Sequence, residues 1–237
     1  MKKLYFVIIP VVICSLICSS TICVRMNSQR ISSADGKPVK DAPVFIIDAG
    51  HGGFDGGAST SDGFPEKDIN LKISVYLRDL LVASGFQVVM TRTEDISLED
   101  EGLDTIRAKK SSDIHNRMRI MEETDNAVFI SIHQNHYSSP KYWGMQVFYS
   151  RNFSESSQLI AESIQETVVE LLQNDNYREI KECGTSVYLM YNAVKPAVLV
   201  ECGFLSNETE AELLKTDDYQ KKISYIIYLG LLKYLGR

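Results

Sequence analysis

Five short runs, residues 44–47, 87–91, 127–132, 145–149 and 197–200, are built largely from apolar, β-branched and aromatic residues, and the run Val44-Phe45-Ile46-Ile47 is apolar at every position. A strand with one wet face alternates apolar and polar residues, whereas a strand apolar throughout must be covered on both faces. Longer segments with helical spacing separate these runs. Ile69, Ile73, Tyr76, Leu77, Leu80 and Leu81 recur on one face and stop at Gly85. Leu159, Ile160, Ile164, Val168, Leu171 and Leu172 follow Ser154, a candidate N-cap. Further helices are expected over residues 98–123 and 218–235, and a further short strand near 187–190. This alternation predicts an α/β fold, a single domain with a twisted, mostly parallel sheet of about six strands and helices on both faces. With 44% apolar residues the chain has enough material for such a core.

The N-terminus reads differently. Lys2 and Lys3 precede an uncharged run over residues 4–24, and Arg25 follows it, the layout of a signal peptide or membrane anchor. That segment is expected to span residues 1–26, a polar linker 27–41, and the folded domain 42–237. The protein is therefore expected to be exported, meeting the membrane only through this segment. Setting Lys2, Lys3, Arg25 and Arg30 aside takes the net charge of the remainder from −6 to −10. So acidic a domain argues against nucleic acid as a partner. Cys14, Cys18 and Cys23 read as apolar filler, and the sequence leaves open whether Cys183 and Cys202 pair.

Three of the apolar runs end in a group that can bind metal or move a proton: Asp48-Ala49-Gly50-His51, Ser131-Ile132-His133, and Leu199-Val200-Glu201. Parallel strands bring their carboxyl ends to one rim, where sites of open α/β sheets form. Two imidazoles and a carboxylate suit a catalytic zinc with its fourth position open. Glu66, after Pro65 at the start of the first helix, supplies a second carboxylate at the far end of a glycine-rich loop. On spacing alone either Glu66 or Glu201 serves as ligand, and the other as base. Taken singly, each residue has a plainer reading: Glu66 as a favourable charge at a helix N-terminus, His133 as a hydrogen-bonded rim residue. Glu201 resists one, because a carboxylate ending a doubly covered strand is costly unless something partners it. His136 is a rival ligand, His115 reads as solvated, and Asp48 is a candidate to orient a ligand imidazole or to accept from the glycine loop's amides. Tyr142, Trp143 and Tyr149 are candidates for stacking on a sugar or for the core.

The motifs Asp48-Ala49-Gly50-His51-Gly52-Gly53, Glu66 opening a helix, Ile130-Ser131-Ile132-His133, and Pro196-Ala197-Val198-Leu199-Val200-Glu201-Cys202-Gly203-Phe204-Leu205-Ser206-Asn207 together resemble the zinc-dependent N-acetylmuramoyl-L-alanine amidases of the type-3 family. The resemblance implies one zinc ion per chain, held by His51, Glu66 and His133, with Glu201 as the catalytic acid/base. It implies peptidoglycan as substrate and partner, cut between the lactyl group of N-acetylmuramic acid and the L-alanine of the stem peptide. The chain is similar to the small sporulation and germination members that act on spore cortex. Residues 151–154 leave no room for the autoinhibitory insertion of some relatives, so control by expression, export, or an activating or anchoring partner protein is expected. Gln134 and His136 stand where the family usually has small residues, and Gly56 where it usually has proline. Two rival readings are a cysteine amidase using Cys202 and a zinc-containing wall-binding scaffold without turnover. A thiol beside a carboxylate is poorly activated, and three ligands leave a zinc site open rather than structural.

Overall fold

The computed structural model describes residues 42–236; the expected targeting segment and linker lie outside the described residues. The five apolar runs all become strands. β1 (Val44–Ala49), β2 (Val88–Met90), β3 (Ala127–Asn135), β4 (Gln146–Tyr149), β5 (Lys181–Glu182) and β6 (Ala197–Phe204) make one sheet in the order β2-β1-β3-β6-β4-β5. The β1–β2, β1–β3, β3–β6 and β4–β5 pairs are parallel. β4 is antiparallel to β6, with Gln146 opposite Glu201. The segment 136–145 therefore leaves β3 and enters β4 at the same rim of the sheet.

The helices are α1 (Glu66–Ala83), α2 (Ile106–Glu123), α3 (Ser154–Leu171), α4 (Tyr188–Tyr191), α5 (Glu208–Leu214) and α6 (Asp217–Tyr234). One face of the sheet is covered by α1, α3 and α6, whose Ile73, Leu77, Ile160, Ile164, Ile227 and Leu231 are fully buried against Val147, Val198 and Val200. α3 and α6 cross so closely at Gly230 that a Cβ there would lie 2.6 Å from the Ile164 Cα. The other face is more thinly covered, by α2 through Met118 and Met121 and by the single turn of α4 through Leu189 and Met190.

Some boundaries depart from expectation. The run at 187–190 is helix α4, not a strand: so short an apolar stretch carries no decisive period, and the sixth strand is the exposed edge pair Lys181–Glu182. α2 begins at Ile106 rather than near 98, because the Thr105 side chain caps it by accepting from the Ala108 amide. Residues before it are tied back to the helix by Leu98 N–H donating to Asp113 and Asn116 donating to the Leu98 carbonyl. Ser154 is the first residue of α3 rather than its cap, a place taken by Phe153 without a side-chain bond. α5 was not foreseen; Asn207 caps it by accepting from the Glu210 amide.

Candidate metal centre

β1 delivers Asp48 and Ala49 in strand geometry, and the chain then turns sharply. His51 has φ +60°, a left-handed conformation that non-glycine residues rarely adopt. Two glycines make the approach close enough to matter. A Cβ on Gly50 would lie 2.2 Å from His133 Nε2, and one on Gly57, itself at φ +70°, would lie 2.5 Å from Glu66 Oε2 and 2.6 Å from His51 Cδ2. The loop thus lays its backbone directly against three side chains that converge.

These side chains are His51, Glu66 and His133. One donor atom from each lies within 4.8 Å of the others, and the two imidazoles meet edge to face with centroids 4.9 Å apart. The Glu66 carboxylate sits between them, with Oε2 3.3 Å from His51 Nε2 and Oε1 3.0 Å from His133 Nδ1. Although Glu66 opens a helix, it is no surface dipole charge, being only 3% exposed. Its Oε1 accepts from the Gln134 amide and from Asn70 Nδ2, and its Oε2 from the Ala58 amide. Burial alone would raise its pKa, but the hydrogen bonds and charges of His133 and His51 outweigh that and hold it well below the usual carboxylate range.

Asp55, rather than Asp48, orients an imidazole: its Oδ2 is 2.9 Å from His51 Nδ1. With a proton on Nδ1, the Nε2 lone pair is left facing Glu66 and the site. Asp48 instead accepts from Thr91 Oγ1 at 2.9 Å, Arg117 Nη1 at 2.6 Å and Ser131 Oγ at 2.6 Å, beneath the loop. Asp55 was overlooked because two acids flank His51 and their spacing does not reveal which one turns back to it.

Glu201 stands across the β3–β6 ladder from His133. It lies outside the three-residue cluster. Its Oε2 is sealed from solvent and has no hydrogen-bond partner. Burial, with the Glu66 charge adding to it, pushes its pKa up to about 7 against the opposing pull of His133 and His51. A pocket of about 160 Å³ opens beside His51 and His133, walled by Phe54, Lys110, Ile114 and Leu189.

The donor set fits zinc. Two ligand atoms each about 2.0–2.2 Å from a tetrahedral zinc lie roughly 3.3–3.5 Å apart, the spacing already held by His51 Nε2 and Glu66 Oε2 at 3.3 Å. Two nitrogens and an anionic oxygen are ligands that zinc favours, and an unpartnered carboxylic oxygen nearby lacks a polar neighbour.

The remaining candidates fall away from the cluster. His136 and His115 are exposed, the latter against the Tyr188 ring. Cys183 and Cys202 are buried and unpaired. Burial, reinforced by Glu201, pushes the Cys183 thiol up to about 11 and the Cys202 thiol well above its ordinary value, so neither offers a thiolate near neutral pH. Tyr142 and Trp143 are partly exposed on the segment between β3 and β4, while Tyr149 packs against the core.

Comparison with known proteins supplies an independent line. The sequence profile described as N-acetylmuramoyl-L-alanine amidase matches residues 45–233. The germination-specific N-acetylmuramoyl-L-alanine amidase of Bacillus subtilis (strain 168) is 37% identical over 191 residues, covering 81% of this chain and 79% of that protein. Among solved structures, the CwlD amidase from Clostridioides difficile, in complex with the GerS lipoprotein, aligns with a TM-score of 0.79 at 41% identity, covering 82% of this chain and 98% of that one. The catalytic domain of CwlV, an N-acetylmuramoyl-L-alanine amidase from Bacillus (Paenibacillus) polymyxa var. colistinus, aligns with a TM-score of 0.68 at 28% identity over 82% of this chain and 98% of that chain.

Proposed function

The chain belongs to the N-acetylmuramoyl-L-alanine amidase family, and from that premise we propose that it is an exported, zinc-dependent hydrolase of spore-cortex peptidoglycan, with zinc on His51, Glu66 and His133 and with Glu201 as the catalytic acid/base. The observation that carries the reading is the convergence of those three donors beside a carboxylic acid with an unpartnered, shielded oxygen. The germination-specific relative supports the cortex as substrate. The lipoprotein bound to the Clostridioides difficile amidase supports an activating or anchoring partner protein for this chain too.

An amide carbonyl is a poor electrophile in water. Zinc, when bound, supplies Lewis-acid polarisation of that carbonyl and acidifies water to a pKa of about 7. The chain's residues do the rest. Asp55 fixes the His51 tautomer, and Asn70 together with the Gln134 amide holds Glu66 in place. Glu201 takes the proton of the attacking water as the new C–O bond forms. It then returns that proton to the alanine nitrogen as the C–N bond breaks, leaving a lactyl carboxylate and a free stem-peptide amine.

The test is incubation of the purified protein with cortex peptidoglycan, followed by mass spectrometry. Stem peptides with free N-terminal alanine should appear, vanish with EDTA and return on adding zinc. Full release by metal-free protein would overturn zinc dependence, and release of sugars or of shortened peptides instead would overturn the bond assignment.

A further inference from the structure

We propose that Arg117 and Arg92 are positioning residues for the metal centre, two buried guanidiniums that grip the backbone carbonyls around His51 and hold its imidazole in ligating position. The inference rests on His51 being a zinc ligand.

β1 pairs with β3 as far as Ala49 opposite Ile132, and the Gly50 amide still donates to the Ile132 carbonyl. The chain then leaves the ladder, and carbonyls turned inward there need other donors. The arginines provide them. Arg92 donates from Nε to the Ala49 carbonyl at 2.9 Å and from Nη2 to the Gly50 carbonyl at 3.0 Å. Arg117 donates from Nη1 to the Ala49 carbonyl at 2.9 Å and from Nη2 to the His51 carbonyl at 2.7 Å. Three consecutive carbonyls are thus held by two arginines from different elements, Arg117 on α2 and Arg92 just beyond β2, with Asn70 Nδ2 adding a bond to the Gly50 carbonyl at 3.2 Å.

Both side chains are fastened in turn. Arg117 is 3% exposed and paired with Asp48 at 2.6 Å and Asp113 at 2.7 Å. Arg92 is 2% exposed and also donates to the carbonyls of Lys67 at 2.8 Å and Glu94 at 3.1 Å. The Lys67 contact ties the loop to the residue after Glu66, so one guanidinium spans the stretches that carry two of the three ligands. The φ of +60° at His51 makes the grip necessary, since a residue that disfavours this backbone would relax out of it once its carbonyl were released.

Lysine keeps the charge but has one ammonium instead of a planar fork and cannot serve Ala49, His51 and two carboxylates at once. For Arg117→Lys the zinc dissociation constant, measured by competition with a chelating dye, should rise about 10- to 100-fold, the usual cost of losing a group that orients a ligand. The visible spectrum of the cobalt-substituted protein should change as well. Met121→Ala is the control: Met121 is buried on the same helix against the sheet, and its loss should lower thermal stability while leaving zinc affinity and the cobalt spectrum as they were. Should Arg117→Lys not fold, Arg92→Lys carries the same expectation. Native-like zinc affinity in a folded lysine variant would overturn the proposal, as would an equal loss in Met121→Ala or failure of both lysine variants to fold. If the unaltered protein itself binds no zinc, the ligand assignment has failed rather than the grip.

Discussion

Two carboxylates meet two histidines at this rim, and their environments separate them. Glu66 is an anion held between imidazoles, while Glu201 has a shielded, unpartnered Oε2 and a pKa pushed up to about 7 by burial. Their substitutions should therefore fail in different ways. Glu66→Ala or His133→Ala should lose zinc and turnover together. Glu201→Gln should keep zinc but lose turnover by about 100- to 10,000-fold, since an amide of the same shape cannot carry the proton. Atomic emission for zinc beside turnover on a muropeptide decides it; an empty site in Glu201→Gln with a filled one in Glu66→Ala would exchange the roles. A second expectation concerns His51 in the metal-free protein. Burial there favours the neutral ring, but hydrogen bonds and charges from Asp55 and Glu66 outweigh it and raise the pKa to about 9. Protonated His51 thus adds stability that is complete below the ordinary value of about 6.5 and lost as pH rises through about 9. Zinc needs the neutral ring, so binding at pH 7 should expel about one proton and affinity should fall up to tenfold per unit below pH 9. Calorimetry in buffers of different ionisation enthalpy measures this, and affinity flat from pH 7 to 9 would contradict it. His51 and His133 were readable in the sequence because a glycine loop and two strand ends frame them, whereas spacing left Glu66 and Glu201 interchangeable and only the family resemblance told them apart. Arg92 and Arg117 were not readable, since their partners are carbonyls and leave no side-chain pattern.

The elements were legible where their period was long. α1 and α3 repeat over 18 residues each; Ile69, Ile73, Leu77 and Leu81 of the first expected face and Ile160, Ile164 and Val168 of the second are buried, while Leu159 and Leu171 are exposed. α2 was harder to delimit, because its buried set includes Asn116 and Arg117 and its stripe is weakly apolar. The short Val187-Tyr188-Leu189-Met190 run was misjudged, since only its position over the sheet decides between strand and turn of helix. The α3–α6 contact carries a prediction of its own. Gly230→Ala puts a methyl 2.6 Å from the Ile164 backbone, and overpacking of this kind costs about 1–3 kcal/mol. Denaturant unfolding should show that loss while zinc content per folded protein stays unchanged. A fully stable variant would mean the two helices can separate without cost.

Across the whole molecule, the three proposed ligands come from β1's loop, the start of α1 and the end of β3, so zinc binding at this site would be coupled to folding. Zinc held at 100 times its dissociation constant should add about 2.7 kcal/mol. Thermal unfolding with and without chelator should accordingly differ by several degrees, since a domain of this size shifts by about 2–4 °C per kcal/mol; coincident curves would show that zinc does not bind the folded protein in preference to the unfolded chain. The sequence predicted the doubly covered sheet, yet not its strand order or the reversal of β4, which depend on pairing between distant segments. That reversal has a consequence for how such a molecule can diversify. Because the segment between β3 and β4 begins and ends on the rim that carries His133 and Glu201, residues 136–143, ahead of the buried Gly144 and Met145, form a stretch open to changes of length and composition that leave the strand register in place. Tyr142 and Trp143 already stand there, partly open to solvent. For the proposed hydrolase this border is thus the place where side chains meeting a polymeric substrate would be exchanged most cheaply, by insertion or replacement that leaves His133 and Glu201 on their strands.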